Sequence, residues 1–476
     1  MYEIPSAFES SSTMYLLSYL ASFGFLLAIC GALHFFVSRR RPKETTGHNS
    51  LFVQFQRKYF LAYFLALAAD WLQGPYLYKL YRHYRFFEPQ IAVLYVCGFA
   101  SSVILGTATS ALADHYGRKK LCITFSIIYS FSCLTKLSYS YYILILGRVL
   151  GGISTSLLFT AYEAWYLHEH VETHDFPKEW VTLTFSQATF WNGILAIGAG
   201  VVSNFLVDPL HLGPVSPFLL AIPLLLGSGA VVASSWNENT GAKKVKISKA
   251  CTEGLRHIVG SRRMLLIGAM QSLFESVMYI FIFIWTPVLD QPPDAPLGLI
   301  FSSFMACIMI GSYLYELLSH SRLQVPAYAV VNGSIVLAMV STLTCVLFYR
   351  NYDSVSYLAF LLLELACGLY FPSMGFLRGK VLPETHRAGI MNWFRVPLNL
   401  IACVLLMVLH GDSSREGTRH IFIICSSLLA VAFFCGIRFA RLVKDDESLK
   451  PGATEQENGN DGRNGYLVSN QETASV

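Results

Sequence analysis

Six ionisable side chains interrupt long apolar runs in this chain. Arg148 lies in GRVLGG and Arg395 in MNWFRVPLNL. Asp70 lies in ALAADWLQGPYLY, Glu163 in TAYEAWY, Glu275 in LFESVMY and Glu364 in LLLELACGLYFP. A charge held within an apolar span costs at least about 2.5–3.5 kcal/mol, so such residues are functional candidates by default. A guanidinium presents a planar fork of donors that matches the edges of a tetrahedral oxyanion. Pro397, two residues after Arg395, weakens the helical hydrogen-bond ladder beside it. Both arginines sit about equally far into their runs, so the competing reading is a side chain snorkelling to the headgroups. A carboxyl group in apolar surroundings favours its neutral, protonated form unless a cation pairs with it. The four acids are therefore proton-carrier candidates or ion-pair partners of Arg148 and Arg395.

Other chemistries find no support. HEHVETHD (His168 to Asp175) puts His170 and His174 at i, i+4, but its mixed charges read as a solvated amphipathic segment rather than a metal site. The sequence holds no Walker A, G-x-S-x-G or H-E-x-x-H pattern, so the expectation is no enzyme, no cofactor and no metal. Of the 11 cysteines only Cys251 lies in a long polar stretch, and the others read as small hydrophobes. The Asn332-Gly-Ser glycosylation pattern falls within a span.

The elements that must position these residues follow from composition. The chain has 476 residues, 54% hydrophobic and 14% charged. That balance excludes a disordered chain and an ordinary soluble enzyme. The net charge of +5 is spread over loops, with no basic, aromatic-interleaved patch for nucleic acid. A bilayer core takes roughly 20 apolar residues per helix. Thirteen such runs occur, near 14–37, 60–80, 91–113, 121–140, 142–166, 182–207, 216–236, 263–287, 297–318, 326–348, 355–377, 390–410 and 420–440. The first is too long for a signal peptide and is followed by SRRRPK (Ser38 to Lys43), so it reads as a real helix.

The other twelve fall into two sets of six. Residues 1–58 form an N-terminal helix and basic loop, 59–236 and 263–441 the two six-helix bundles, 237–262 a basic cytoplasmic linker and 442–476 a disordered cytoplasmic tail. With the SRRRPK loop in the cytosol, inside segments carry 24 Lys and Arg and outside segments 7. That is a strong positive-inside bias, and it puts the N-terminus outside and the C-terminus in the cytosol of a multi-pass cell-membrane protein. Asp70 and Glu275 then fall at similar offsets in the first helix of each bundle, as a repeat-built transporter should show. Gly74–Pro75 should bend the helix that carries Asp70.

Two six-helix halves joined by a basic loop resemble the major facilitator superfamily. SALADHYGRKKL (Ser110 to Leu121) resembles its loop signature, with Asp114, Gly117, Arg118 and Lys119 matching and Ser110 in place of the leading glycine. Gly117 permits a tight turn, and Asp114 at a helix end can pair with a neighbouring helix and hold one conformation. Arg148 and Gly152 fit the R-x-x-x-G pattern of its fourth helix. Longer blocks are more specific. FLALAADWLQGPYLYKLY (Phe64 to Tyr81), TAYEAWYLHEH (Thr160 to His170), LFESVMYIFIFIWTPVLD (Leu273 to Asp290), ELACGLYFPSMGFLRGKVLPET (Glu364 to Thr385) and NWFRVPLN (Asn392 to Asn399) are similar to the eukaryotic molybdate-anion transporter family.

The resemblance runs from about residue 51 to 441 and implies uptake of molybdate across the cell membrane. Arg148 and Arg395 would hold the anion, one from each half, and Trp71, Tyr76, Trp165, Trp191 and Trp393 are candidates to wall its path. Dianion entry against an inside-negative potential is opposed by about 2.3 kcal/mol per charge per 100 mV, so uphill uptake needs two co-transported cations. Protons on Asp70, Glu163, Glu275 or Glu364 are the available route. The competing readings are a proton-coupled carrier of a sugar or organic ion, and a membrane receptor or scaffold that moves nothing.

Overall fold

The computed structural model describes residues 6–40, 49–240, 247–290, 295–320, 324–348, 353–383, 387–408 and 415–448. Within them the chain is helical throughout. The first half follows a long leading helix, α1 (Ser6–Arg40). It comprises α2 (Ser50–Gln73), α3 (Leu77–His83), α4 (Glu88–Tyr116), α5 (Arg118–Thr135), α6 (Tyr141–His168), α7 (Glu179–Val207) and α8 (Ser216–Ser235). A linker helix, α9 (Ile247–Gly260), precedes the second half. That half comprises α10 (Arg262–Leu289), α11 (Leu297–Ser319), α12 (Ala327–Phe348), α13 (Asp353–Val381), α14 (Arg387–Val408) and α15 (Arg415–Ser448).

Local chemistry sets these ends. Asn49 caps α2 by accepting from the amides of Leu51 and Phe52, each at 3.1 Å. The expected break at Gly74–Pro75 separates α2 from α3, because proline removes an amide donor. Ten helices are long and apolar enough to cross a membrane among the described residues. Neither α2 nor α5 is among them; α5 opens on Arg118, Lys119 and Lys120 and is rich in serine.

In the first half α2 packs on α7 and α8, and α6 on α4 and α5. In the second half α13 packs on α11 and α12, and α15 on α10 and α12. The halves meet along two seams, α7 with α11 and α4 with α14, and where α3 touches α10. Buried tyrosines fill the core, and their hydroxyls need partners in an apolar interior. Tyr162 pairs with Ser228 at 2.8 Å and Tyr166 with Thr184 at 2.6 Å.

Two regions depart from the sequence reading. The linker carries a helix: Gly254 and Ile258 form its buried stripe, and Gly254 lies against the backbone of Gly389 and Ile390 at the start of α14. Spacing of four residues along a helix makes such a stripe, which composition alone does not reveal. HEHVETHD is not fully solvated. Residues 169–173 form a π-turn in which Glu169 and His170 are buried. His170 reaches the Tyr166 hydroxyl (3.1 Å) and the Pro177 carbonyl (2.9 Å), with the Phe52, Phe55 and Phe176 rings around it.

The first helix packs beside the bundle along α11. His34 hydrogen-bonds the Tyr313 hydroxyl of α11 at 2.9 Å and stacks on Phe190 of α7 at 4.7 Å. Ser22 and Tyr19 both meet Tyr357 of α13. Residues 449–476, most of the expected tail, lie outside the described residues.

Candidate functional site

A column of polar side chains runs through the first half. Asp70, near the end of α2, accepts a hydrogen bond from Tyr129 of α5. Cys133 and Lys136 follow Tyr129 at one-turn spacing, so the three share a face. Lys136 caps the end of α5 and is buried. Its Nζ donates to the Tyr81 hydroxyl at 3.2 Å, and its carbonyl accepts from the Tyr84 hydroxyl. Counted from sequence as a loop charge, Lys136 went unnoticed as a site residue. It falls within the run read near 121–140, close to its end, where a charge carries no signal of where its head turns.

Arg148 enters the same region from α6. Its Nε donates to the Leu94 carbonyl at 3.1 Å, and its guanidinium carbon lies 5.1 Å from the Tyr95 ring centroid. Gly98 makes the room: a Cβ there would stand 2.5 Å from Nη2. Among the described residues Arg148 has no carboxylate partner. It is half-buried inside the bundle rather than extended to a helix end. Glu163, further along α6, lies near enough to Tyr59 and Tyr63 for its charge to act on both.

The second half pairs its first acid. Glu275 of α10 meets Arg378 of α13 at 3.8 Å. The Tyr370 hydroxyl (3.3 Å) and the Gln271 amide (3.3 Å) donate to the same carboxylate. Arg378, a residue the sequence reading left in a loop, is thus a cation at this acid. Glu364 of α13 is different. It is 6% exposed and has no hydrogen-bond or ion-pair partner among the described residues. Cys307 and Cys367 lie close to it.

Arg395 sits in α14 next to Phe394, whose ring covers Gly268 and whose carbonyl accepts from Ser272 at 2.9 Å. This ties it to the start of α10, whereas Arg148 lies at the end where α3 stops. Equal offsets place the two arginines on opposite sides of the bundle's middle, because α6 and α14 run in opposite directions. Each stands about 10–12 Å from its own helix start at 1.5 Å per residue.

At the α3 end the two halves are in contact. Lys79 of α3 pairs with Asp290 of α10 at 3.5 Å. Tyr76 hydrogen-bonds Asn204 (3.4 Å) and Asp208 (3.3 Å) of α7. Asn204 also accepts the Leu299 amide of α11 at 3.3 Å, and Ser302 donates to the Ile197 carbonyl at 2.8 Å. Gly200 and Gly298 let the helix backbones touch: a Cβ on either would come within 2.6 Å of the other's carbonyl oxygen. Tyr78 and Tyr95 pack edge-on against Phe283 beside them. Of the expected path aromatics, Trp71 donates to Asn192 at 2.8 Å and touches Phe301 across the seam. Trp165 instead stacks on Trp236 at 3.7 Å within the first half, while Trp191 is 48% exposed.

The loop motif has a partner that the sequence reading missed. Gly117 adopts φ +100°, and the Glu238 carboxylate fills the space where its Cβ would be. Glu238 accepts the amides of Lys119 (3.0 Å) and Lys120 (3.3 Å), closing the start of α5. Lys119 Nζ donates to the carbonyls of Ala233 and Trp236, and the Arg118 amide to that of Asn239. The Asp114 side chain lies outside what the structure describes. Among the described residues no three His, Cys, Asp or Glu side chains converge as metal ligands would.

Comparison with known proteins places this arrangement. A family profile described as sugar transporters, 12 TM, matches residues 18–363. The molybdate-anion transporter of Xenopus laevis is 47% identical over 449 residues, covering 93% of this chain and 99% of that protein. The molybdate-anion transporter of Danio rerio is 44% identical over 478 residues, covering 92% and 98%. A crystal structure of the nucleoside transporter NupG superposes with a TM-score of 0.66 at 13% identity, covering 81% of this chain and 99% of that one. An auto-inhibited peptide transporter of the POT family gives 0.64 at 12% identity, covering 82% and 97%. At such identities the two structures speak for the fold alone. The chain is a multi-pass membrane protein with the major facilitator fold, and it belongs to the molybdate-anion transporter family.

Proposed function

We propose that this protein is a secondary transporter that carries molybdate into the cell by alternating access. The observation that carries this reading is Arg148. An arginine inside a bundle, without a carboxylate partner among the described residues, is a standing site for an anion. It occurs in a chain nearly half identical to named molybdate-anion transporters. Arg395, reached from the opposite end, is a second cationic contact on the path.

In this reading residues 59–236 and 263–441 rock as two units joined by 237–262. The N-terminus is outside the cell membrane and the C-terminus cytosolic. The α3 end, where Lys79 meets Asp290, then faces outward and is closed. Protons supply the compensating charge. Glu364 is the best placed carrier, since it is buried without a partner among the described residues, whereas Glu275 is held by Arg378 and Asp70 by Tyr129.

The test is molybdate uptake by cells expressing the protein beside Arg148→Ala and Arg395→Ala, matched for surface expression. Saturable uptake that falls in both variants is expected. No uptake above background by the unaltered protein would remove molybdate as its substrate.

A further inference from the structure

We propose that Lys136 and Arg148 together form the docking pair for a tetrahedral oxyanion dianion that carries no hydroxyl group. This rests on the anion-transport reading above and names its first binding site within one half of the molecule. Four observations carry it.

First, both cations lie inside the first half, and neither has a carboxylate partner among the described residues. They belong to one corner of the half, since Lys136 Nζ lies 3.3 Å from the Cβ position of Gly147, the residue before Arg148 on α6, and an anion of charge −2 offsets two such positive heads. Second, the donors are only partly used. The Arg148 Nε is bound to the Leu94 carbonyl, which leaves both Nη groups for another acceptor. One N–H of the Lys136 ammonium goes to Tyr81, which leaves two. The Tyr81 hydroxyl, accepting from Lys136, keeps its own proton to donate.

Third, glycines let both heads lie close against the backbones of α4 and α6. A Cβ at Gly98 would collide with the guanidinium, and one at Gly147 would stand 3.3 Å from Lys136 Nζ and strike the Thr135 hydroxyl. Fourth, the offered groups are all donors. Molybdate and sulfate present only acceptor oxygens and satisfy such a lining. Hydrogenphosphate brings a hydroxyl that needs an acceptor, and neither the guanidinium nor the ammonium supplies one. Arg148 is half-buried and Lys136 buried, so the anion meets the arginine first.

The experiment uses the full-length protein purified in lipid nanodiscs. Thermal stabilisation by sodium molybdate, sulfate and phosphate is titrated at fixed ionic strength for the unaltered protein, Lys136→Gln, Lys136→Arg, Arg148→Gln and Tyr81→Phe. Proteoliposome uptake of molybdate runs in parallel. A hydrogen bond to a charged group is worth about 1.5–3 kcal/mol, so Lys136→Gln should raise the molybdate Kd about tenfold or more. Lys136→Arg should restore most of the affinity, and phosphate should bind at least about tenfold more weakly than sulfate. An unchanged molybdate Kd in Lys136→Gln overturns the pair while leaving the transport reading standing. Oxyanion binding that depends on Lys136, without uptake, keeps the pair and removes the transport reading. No stabilisation by any of the three anions overturns the pair. If Lys136→Gln does not fold, Tyr81→Phe decides: loosening the ammonium should weaken molybdate by about threefold or more, and an unchanged Kd refutes the pair.

Discussion

Alternating access requires the seam between α7 and α11 to part at the α3 end, and Gly298→Ala is a wedge driven into that seam. The added methyl would stand 2.3 Å from the Gly200 carbonyl oxygen, 2.6 Å from Asn204 Cβ and 2.7 Å from the Asn204 amide. Two of these are backbone atoms of another helix, so no flexible side chain can move aside. Ordinary contact begins at 3.4 Å, so the helices must separate by about 1 Å or strain in place. Overpacking of this kind costs about 1–3 kcal/mol. The penalty falls only on the state with the seam closed, so the open state should gain roughly five- to 150-fold in relative population. Hydrogen exchange reads this directly. The Leu299 amide, which donates to Asn204, should exchange faster by the same factor. Gly198→Ala is the control, since nothing lies within 4 Å of its Cβ position. Lying on α7, the helix that faces Gly298 of α11 across the seam, it should leave exchange unchanged and stabilise α7 slightly through helix propensity. Unchanged exchange in Gly298→Ala, or equal acceleration in Gly198→Ala, would refute the wedge argument.

Glu364→Gln keeps the shape of the buried side chain and removes its proton; uptake should persist but lose its dependence on an imposed proton gradient. Lys79→Asp and Asp290→Lys alone should each weaken the closed state, and the double swap should restore it. The coupling read from that cycle is about 1 kcal/mol, modest because the pair is partly exposed at 18% and 9%. Glu238→Ala uncaps α5 and should lower stability by about 1 kcal/mol, seen as a lower melting temperature without change in substrate affinity.

Much of the fold was legible because lipid imposes a simple rule. A helix that crosses it must be apolar over a known length; of the thirteen runs read from sequence, ten stand among the described residues as helices long and apolar enough to cross, and those at α2, α4 and α5 do not. The broken helix at Gly74–Pro75 followed from proline chemistry. The site was harder. Arg148 stood out because a charge in an apolar run is conspicuous. Lys136 did not, because it falls near the end of its run and counts with the outside charges, and only the packing of Tyr81 and Gly147 turns its ammonium inward. The same holds for Arg378 and Glu238. Each sits near a helix end, where a charge is unremarkable, and each finds its partner about a hundred or more residues away along the chain. Arg148 and Arg395 do lie about equally far into their helices; that they stand on opposite sides of the middle follows only once the alternation of helix direction is counted.

The first helix breaks the twofold likeness of the two halves. Among the described residues its hydrogen bonds to other helices, His34 with Tyr313 and Ser22 with Tyr357, go to the second half, while against the first half His34 stacks flat on Phe190. A stacked pair tolerates sliding where a hydrogen bond does not. When the halves rock, α1 therefore travels with the second half and glides over α7. One seam of the machine is thus shielded by protein, so lipid tails press on the two sides of the carrier unequally. Bilayer thickness and acyl composition should then act on its rate through the α4–α14 side.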